Sequence, residues 1–241
     1  MPAIETRNLT KKYKDITAVD ELSLTVEEGE LFSLLGVNGA GKTTTVKMLS
    51  CLSAPTQGDA FIFGKSIRTE AAAVKKQIAV SPQETAVAPG LSVKENLALI
   101  CGIHGFSKEK TAEKIEEVTR LLALSSVFNR KAGKLSGGYK RRLSIAMALV
   151  SEPRLLFLDE PTLGLDVLAR SDLWDVIRAL KGKITVILTT HYMEEAEALS
   201  DHIAIMKDGR LLLCDTPDNI KQNTGEGSIE AAFVKIVREA M

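Results

Sequence analysis

Continuous apolar runs that stop abruptly at polar or glycine residues set the pattern of this chain. Leu155-Leu156-Phe157-Leu158 ends at Asp159-Glu160, and Ile184-Thr185-Val186-Ile187-Leu188 ends at Thr189-Thr190-His191. A third run, residues 30–35, ends at Gly36. Such runs are expected of parallel strands covered on both faces. Residues 18–26 alternate instead, as a half-buried strand does, and residues 60–64 and 77–80 read as further short strands. Residues 203–206 and 211–213 flank Asp208-Gly209, which predicts a hairpin.

Helical spacing takes over between residues 84 and 150. Ser92-Val93-Lys94-Glu95 is a capping box, and Ile115, Val118 and Leu122 form an apolar stripe among Lys and Glu residues. We read this block as a helical subdomain inserted into an α/β core. Val167 to Leu180 is expected to be a crossover helix between two strands. Thr216-Pro217 predicts a helix start. Gly225 and Gly227 precede a last amphipathic helix over about 228–240, whose stripe of Ile229, Phe233 and Ile236 is expected to pack on its own domain.

Composition narrows the picture. The 241 residues fit one domain with room for a subdomain, and Lys+Arg and Asp+Glu are both 31. Nothing overall points to nucleic acid or an anionic membrane surface, and the basic run over 130–142 is expected to be a solvated face. Cys51, Cys101 and Cys214 are odd in number and in no metal-binding spacing, so reduced thiols are expected. The N-terminus lacks a signal-peptide core. No apolar run approaches the ~20 residues that span a bilayer. A soluble, cytoplasmic chain is expected, with any membrane role through a partner.

The stretch after the third run carries the chemistry. Gly36-Val37-Asn38-Gly39-Ala40-Gly41-Lys42-Thr43-Thr44 joins a strand to a helix, the setting of a phosphate-binding P-loop. Its backbone N–H groups form an anion nest, and the helix N-terminus adds positive partial charge. Glycines 36, 39 and 41 let the backbone approach closely. Lys42 is expected at the terminal phosphates and the Thr43 hydroxyl on Mg²⁺. At the edge where parallel strands end, Asp159 is placed for the Mg²⁺ shell as a Walker B aspartate. Glu160 is placed to accept a proton from the attacking water, and His191 to meet the γ-phosphate. Leu135-Ser136-Gly137-Gly138 offers a second capped helix start suited to an anion.

In this order, the P-loop, Gln83, Leu135-Ser136-Gly137-Gly138, residues 155–160 and His191 resemble an ABC-transporter nucleotide-binding domain over essentially the whole chain. The resemblance implies a P-loop NTPase core of mostly parallel sheet with helices, plus an N-terminal antiparallel β-subdomain and the inserted helical subdomain. Residues 1–241 would form one ABC domain, with the helical subdomain at about 84–150 and a short helical tail at about 216–241. It implies ATP and Mg²⁺ as ligands, Tyr13 stacked on adenine, and Gln83 sensing the γ-phosphate and metal. Leu163-Gly164-Leu165-Asp166 would be the D-loop. Two such domains, as a homodimer or with a paired ABC subunit, would join head to tail, each signature (Ser136, Gly137, Gly138) closing over the other's ATP.

Residues 189–197 and the short tail look like the ABC-2 exporter subgroup, which includes ATPases of drug, polysaccharide and sodium exporters. Two positions depart from the common pattern, Tyr139 in the signature and Leu163 in the D-loop. The expected protein is an ATP-hydrolysing exporter subunit on the inner face of the cell membrane, held there by a separate integral-membrane permease, with no nucleic-acid partner. A soluble ATPase clamping nucleic acid or ribosomes would carry two cassettes or long arms. A non-hydrolytic switch would not need Glu160 and His191. An importer subunit is the nearest rival, and many of those add a C-terminal regulatory domain.

Overall fold

The computed structural model describes residues 1–240; residue 241, the last of the expected tail, lies outside the described residues. Strands β1 (Ile4–Tyr13), β2 (Ile16–Leu22) and β3 (Thr25–Val26) come first, then β4 (Leu31–Leu35) and α1 (Lys42–Leu49). β5 (Gln57–Ile62), β6 (Lys65–Ser66), α2 (Ala71–Lys75) and β7 (Ile78–Ser81) follow. Helices α3 (Val93–Ile103), α4 (Lys108–Leu121) and α5 (Gly137–Leu149) precede β8 (Leu155–Asp159) and α6 (Val167–Arg178). The chain continues through β9 (Thr185–Thr190), α7 (Met193–Leu199), β10 (His202–Lys207), β11 (Arg210–Asp215), α8 (Pro217–Thr224) and α9 (Ile229–Glu239).

The larger sheet runs β11-β10-β4-β9-β8-β7. All its pairings are parallel except the edge hairpin β10–β11. Asp208 and Gly209 turn that hairpin with φ of 49 and 81, as a two-residue turn with two left-handed positions requires. Register then decides the site. Leu35 pairs with Thr190 and Asp159 with Thr189, so β4, β9 and β8 end side by side. Three stretches far apart in sequence therefore open onto one edge.

The smaller sheet is antiparallel, in the order β2-β1-β5-β6 with β3 also on β1. The alternating stretch over 18–26 is not one strand. Leu24 N–H is taken by the Thr6 hydroxyl at 2.8 Å and Ser23 Oγ takes Asn8 N–H at 2.9 Å, so side chains replace the ladder there. Phe63 and Gly64 form the turn after β5, with φ of 46 and 76, rather than its end. Residues 84–92 are not helical; helix begins at the expected capping box, where Ser92 and Glu95 bond reciprocally.

The central sheet separates its side chains by period two. Leu31, Leu156, Leu158, Val186 and Leu188 pack on Val93, Leu97, Val118, Leu143 and Leu173 of α3–α6. Phe32, Leu34, Phe157 and Ile187 pack on Val46 and Met48 of α1 and on Ile4, Leu9 and Ile62 of the smaller sheet. Burial of each such side chain is worth about 1.5–3 kcal/mol. Leu35, Ile203 and Ile205 meet Ile220, Ile229 and Phe233, so α9 packs on its own domain as its stripe predicts. Among the described residues, no helix is long and apolar enough to cross a membrane.

Candidate active site

Gly36 leaves β4 directly beneath the end of β10. A Cβ there would lie 2.5 Å from Met206 O and 2.8 Å from Ala40 Cβ. At Gly41, with φ of 100, it would lie 2.5 Å from Ala18 O. These two glycines therefore answer to the protein's own backbone. Gly39 has open space around it and is needed for its φ of 86. Gly41 caps α1 with no side-chain bond, and the first turn carries no acidic residue. The first N–H groups of that helix are thus open to an anion.

Lys42 is 6% exposed and turns back over its loop. Its Nζ donates to Gly36 O at 2.7 Å and Val37 O at 3.3 Å, and lies 3.6 Å from Glu160 Oε1. Burial pulls its pKa below the ordinary lysine value, against the pull of Glu160 and Asp159 in the other direction. Asp159, at the end of β8, accepts from Thr189 Oγ1 at 2.5 Å and from Thr43 Oγ1 at 3.4 Å. Two hard oxygens, the Thr43 hydroxyl and the Asp159 carboxylate, thus meet beside the loop. That donor set fits Mg²⁺, which binds few protein oxygens and completes its shell with water and phosphate.

Glu160 follows with φ of 49, a left-handed conformation that costs an ordinary residue roughly 1–2 kcal/mol. Thr189 holds it, since Glu160 N–H donates to Thr189 O and to Thr189 Oγ1, both at 3.1 Å. Its carboxylate is 8% exposed, with Oε2 2.5 Å from His191 Nδ1. His191 therefore does not stand alone in the site. One face of Glu160 meets a lysine and the other an imidazole, and its carboxylate can accept a proton without leaving that frame.

Lys42, Glu160 and His191 line one cavity of about 470 Å³ with Tyr13, Ala18, Asn38, Gly39, Ala40, Gly41, Thr43, Thr44, Gln83 and Leu163. Tyr13 is 44% exposed there, with the Lys11 ammonium 5.0 Å from its ring centroid. Ser136, Gly137 and Gly138 lie elsewhere. Ser136 caps α5 through Tyr139 N–H at 3.5 Å, and Cβ atoms on the two glycines would face Leu165 and Ala169. Within one copy, the two anion-suited helix starts do not share a cavity.

Sequence reasoning missed Thr189, Arg141 and Glu195. The basic run over 130–142 is not wholly a solvated face, because Arg141 is 3% exposed. Its guanidinium is satisfied by carbonyls of loops distant in sequence, Pro82 and Pro161. Spacing carried the signal: positions 141, 145 and 148 share the buried face of α5.

The model of the ABC transporter family matches residues 19–163, from β2 to just beyond Glu160. The chain belongs to the ABC transporter family. It is a P-loop NTPase of that family's ATP-binding, ATPase class. DrrA of Streptomyces peucetius, a daunorubicin/doxorubicin resistance ATP-binding protein, is 41% identical over 224 residues, covering 92% of this chain and 68% of DrrA. Human ABCA3, a phospholipid-transporting ATPase, is 39% identical over 228 residues, covering 93% of this chain but 13% of ABCA3. The ABC-family chain thus spans only part of these curated relatives. Among solved structures, the dimeric post-hydrolysis state of the ATP-binding cassette MJ0796 with ADP and Pi matches with a TM-score of 0.79 at 27% identity. That match covers 88% of this chain and 98% of the other.

Proposed function

We propose that this chain hydrolyses ATP to drive an exporter whose permease is a separate membrane protein. The observation that carries the hydrolytic part is Glu160, gripped between Lys42 and His191 on the wall of the P-loop cavity. Similarity to DrrA supports the exporter part. The triphosphate lies on the N–H groups of residues 38–44, with Tyr13 on the adenine face. Lys42 exchanges its bonds to Gly36 and Val37 for the terminal phosphate oxygens. Glu160 takes the proton of the attacking water, and His191 fixes that carboxylate and meets the γ-phosphate. Thr43, Asp159 and Gln83 would hold Mg²⁺, which when bound would supply charge neutralisation for the transferring phosphoryl group.

Ser136 to Gly138 lie outside their own chain's cavity, which supports a head-to-tail pair in which each signature covers its partner's ATP. The pair is a homodimer or includes a second ABC subunit. In this reading residues 1–241 are one ABC domain, in which residues 84–150 pass motion to the permease and residues 216–241 form a short tail. The permease holds the chain at the inner face of the cell membrane. Purification from detergent-solubilised membranes, followed by a phosphate-release assay on the isolated complex, tests both parts. A co-purifying protein with several apolar spans and Mg²⁺-dependent phosphate release are expected. Ribosomes or nucleic acid in its place, or no release, would overturn the reading.

A further inference from the structure

Arg141 is a buried cation surrounded by backbone. From α5 its Nη1 donates to Pro82 O at 2.5 Å and its Nε to Pro161 O at 2.6 Å. Its Nη2 donates to Asp159 O at 3.0 Å and also to Glu160 O. Asp159, Glu160 and Glu195 reach it as neighbouring charges, and burial is the stronger influence, lowering its pKa. A charge so enclosed is tolerable only when its donors are satisfied, and the planar guanidinium fork suits several fixed acceptors at once.

The acceptors identify the purpose. Pro82 directly precedes Gln83, and the other three carbonyls are the backbone of the turn carrying Asp159 and Glu160. Glu160 holds a left-handed φ of 49, and strained residues persist where their surroundings over-determine them. Thr189 secures its N–H and Arg141 its carbonyl. We infer that Arg141 is a positioning residue for hydrolysis, fixing the Glu160 turn and locking the Gln83 loop to the same frame. The inference rests on Glu160 being the base. None of the four acceptors is in the β4–α1 loop, so the loop N–H groups and Lys42 that would hold the triphosphate are left in place and the larger effect of Arg141 is on the rate.

Arg141→Lys tests this because it keeps the charge and loses the fork; Arg141→Met removes both. ATP binding by calorimetry, phosphate-release kinetics and thermal melting are measured on the full chain. Arg141→Lys is expected to melt cooperatively and bind ATP within about threefold of wild type. Its kcat should fall roughly 10–100-fold, the scale of a displaced catalytic group. In a Glu160→Gln background the same change should alter the residual rate by less than about twofold, as for groups that act as a unit. Wild-type kcat in Arg141→Lys, parallel loss of affinity and rate, loss of cooperative melting, or additive loss in the double variant would each overturn the inference. Hydrolysis at the wild-type rate by Glu160→Gln overturns the base assignment and this inference with it. An inactive Glu160→Gln beside a fully active Arg141→Lys overturns this inference alone.

Discussion

Lys42 Nζ lies 3.6 Å from Glu160 Oε1, with the two side chains 6% and 8% exposed. The group proposed to meet the terminal phosphates and the group proposed to take the water's proton are thus held against each other, away from bulk solvent. Coulombic attraction between them is strong in such a setting, and carbonyls of Gly36 and Val37 satisfy the remaining lysine donors. Burial still outweighs that attraction and lowers the lysine pKa, so the carboxylate opposes the desolvation without cancelling it.

Lys42→Ala is expected to weaken ATP binding and to lower hydrolysis by at least about 10²-fold, the usual effect of deleting one charge-stabilising donor. Phosphate release at saturating ATP and calorimetric affinity measure the two effects. Near-wild-type turnover would remove Lys42 from the mechanism.

Much of this arrangement is legible in the sequence. Leu155 to Leu158 must be covered on both faces, which makes the strand parallel and sends Asp159-Glu160 to the edge shared with the P-loop. The relation between His191 and Glu160 is not legible, because it depends on β8 and β9 being neighbours in register. Arg141 is harder still. Its burial depends on carbonyls of Pro82 and Pro161, contributed by loops on either side of α5 in the chain. The break at Ser23-Leu24 escapes periodicity for a similar reason, since hydroxyl and amide side chains of β1 decide it.

Tyr13→Ala is expected to raise the ATP concentration for half-maximal hydrolysis with little loss at saturation. The ring lines the same cavity as the β4–α1 loop but offers no charge to a phosphate, and base stacking is worth about 1–3 kcal/mol. Titration of phosphate release against ATP reads this directly. Unchanged half-saturation would make Tyr13 an ordinary surface aromatic.

Glu195 is fully buried. Its Oε1 accepts from Trp174 Nε1 at 3.0 Å, and burial, outweighing the neighbouring Thr190 and Thr162 hydroxyls and Trp174, raises its pKa above the usual carboxylate value. A raised folded pKa gives stability that is complete below the unfolded value, near ~4.3, and lost as pH rises through the folded one. Glu195→Gln retains an acceptor for Trp174 and has no charge to bury. Its melting temperature is expected to exceed the wild type's by a margin that grows from pH 4 to pH 8, about 2–4 °C per kcal/mol in a domain of this size. A margin independent of pH would defeat the argument.

Glu160→Gln keeps size and shape but removes the carboxylate that would take the water's proton. Thr43 and the loop N–H groups make no contact with that carboxylate, and Lys42 keeps its bonds to Gly36 and Val37, so ATP should still bind. Ser136 is exposed at the head of α5, outside its own chain's cavity, and is free to close over a partner's triphosphate. With hydrolysis blocked, the bridging γ-phosphate persists and bound ligand favours the pair by mass action. Glu160→Gln with ATP and Mg²⁺ is therefore expected to elute as a dimer in size-exclusion chromatography and to return to monomer with ADP. Adding Ser136→Arg should abolish the dimer while leaving calorimetric ATP binding in place, because it sets bulk and charge into the proposed interface. Hydrolysis at the wild-type rate by Glu160→Gln would dismiss the base. An inactive variant that stays monomeric would leave the base standing and dismiss the ATP-bridged pair for the isolated chain.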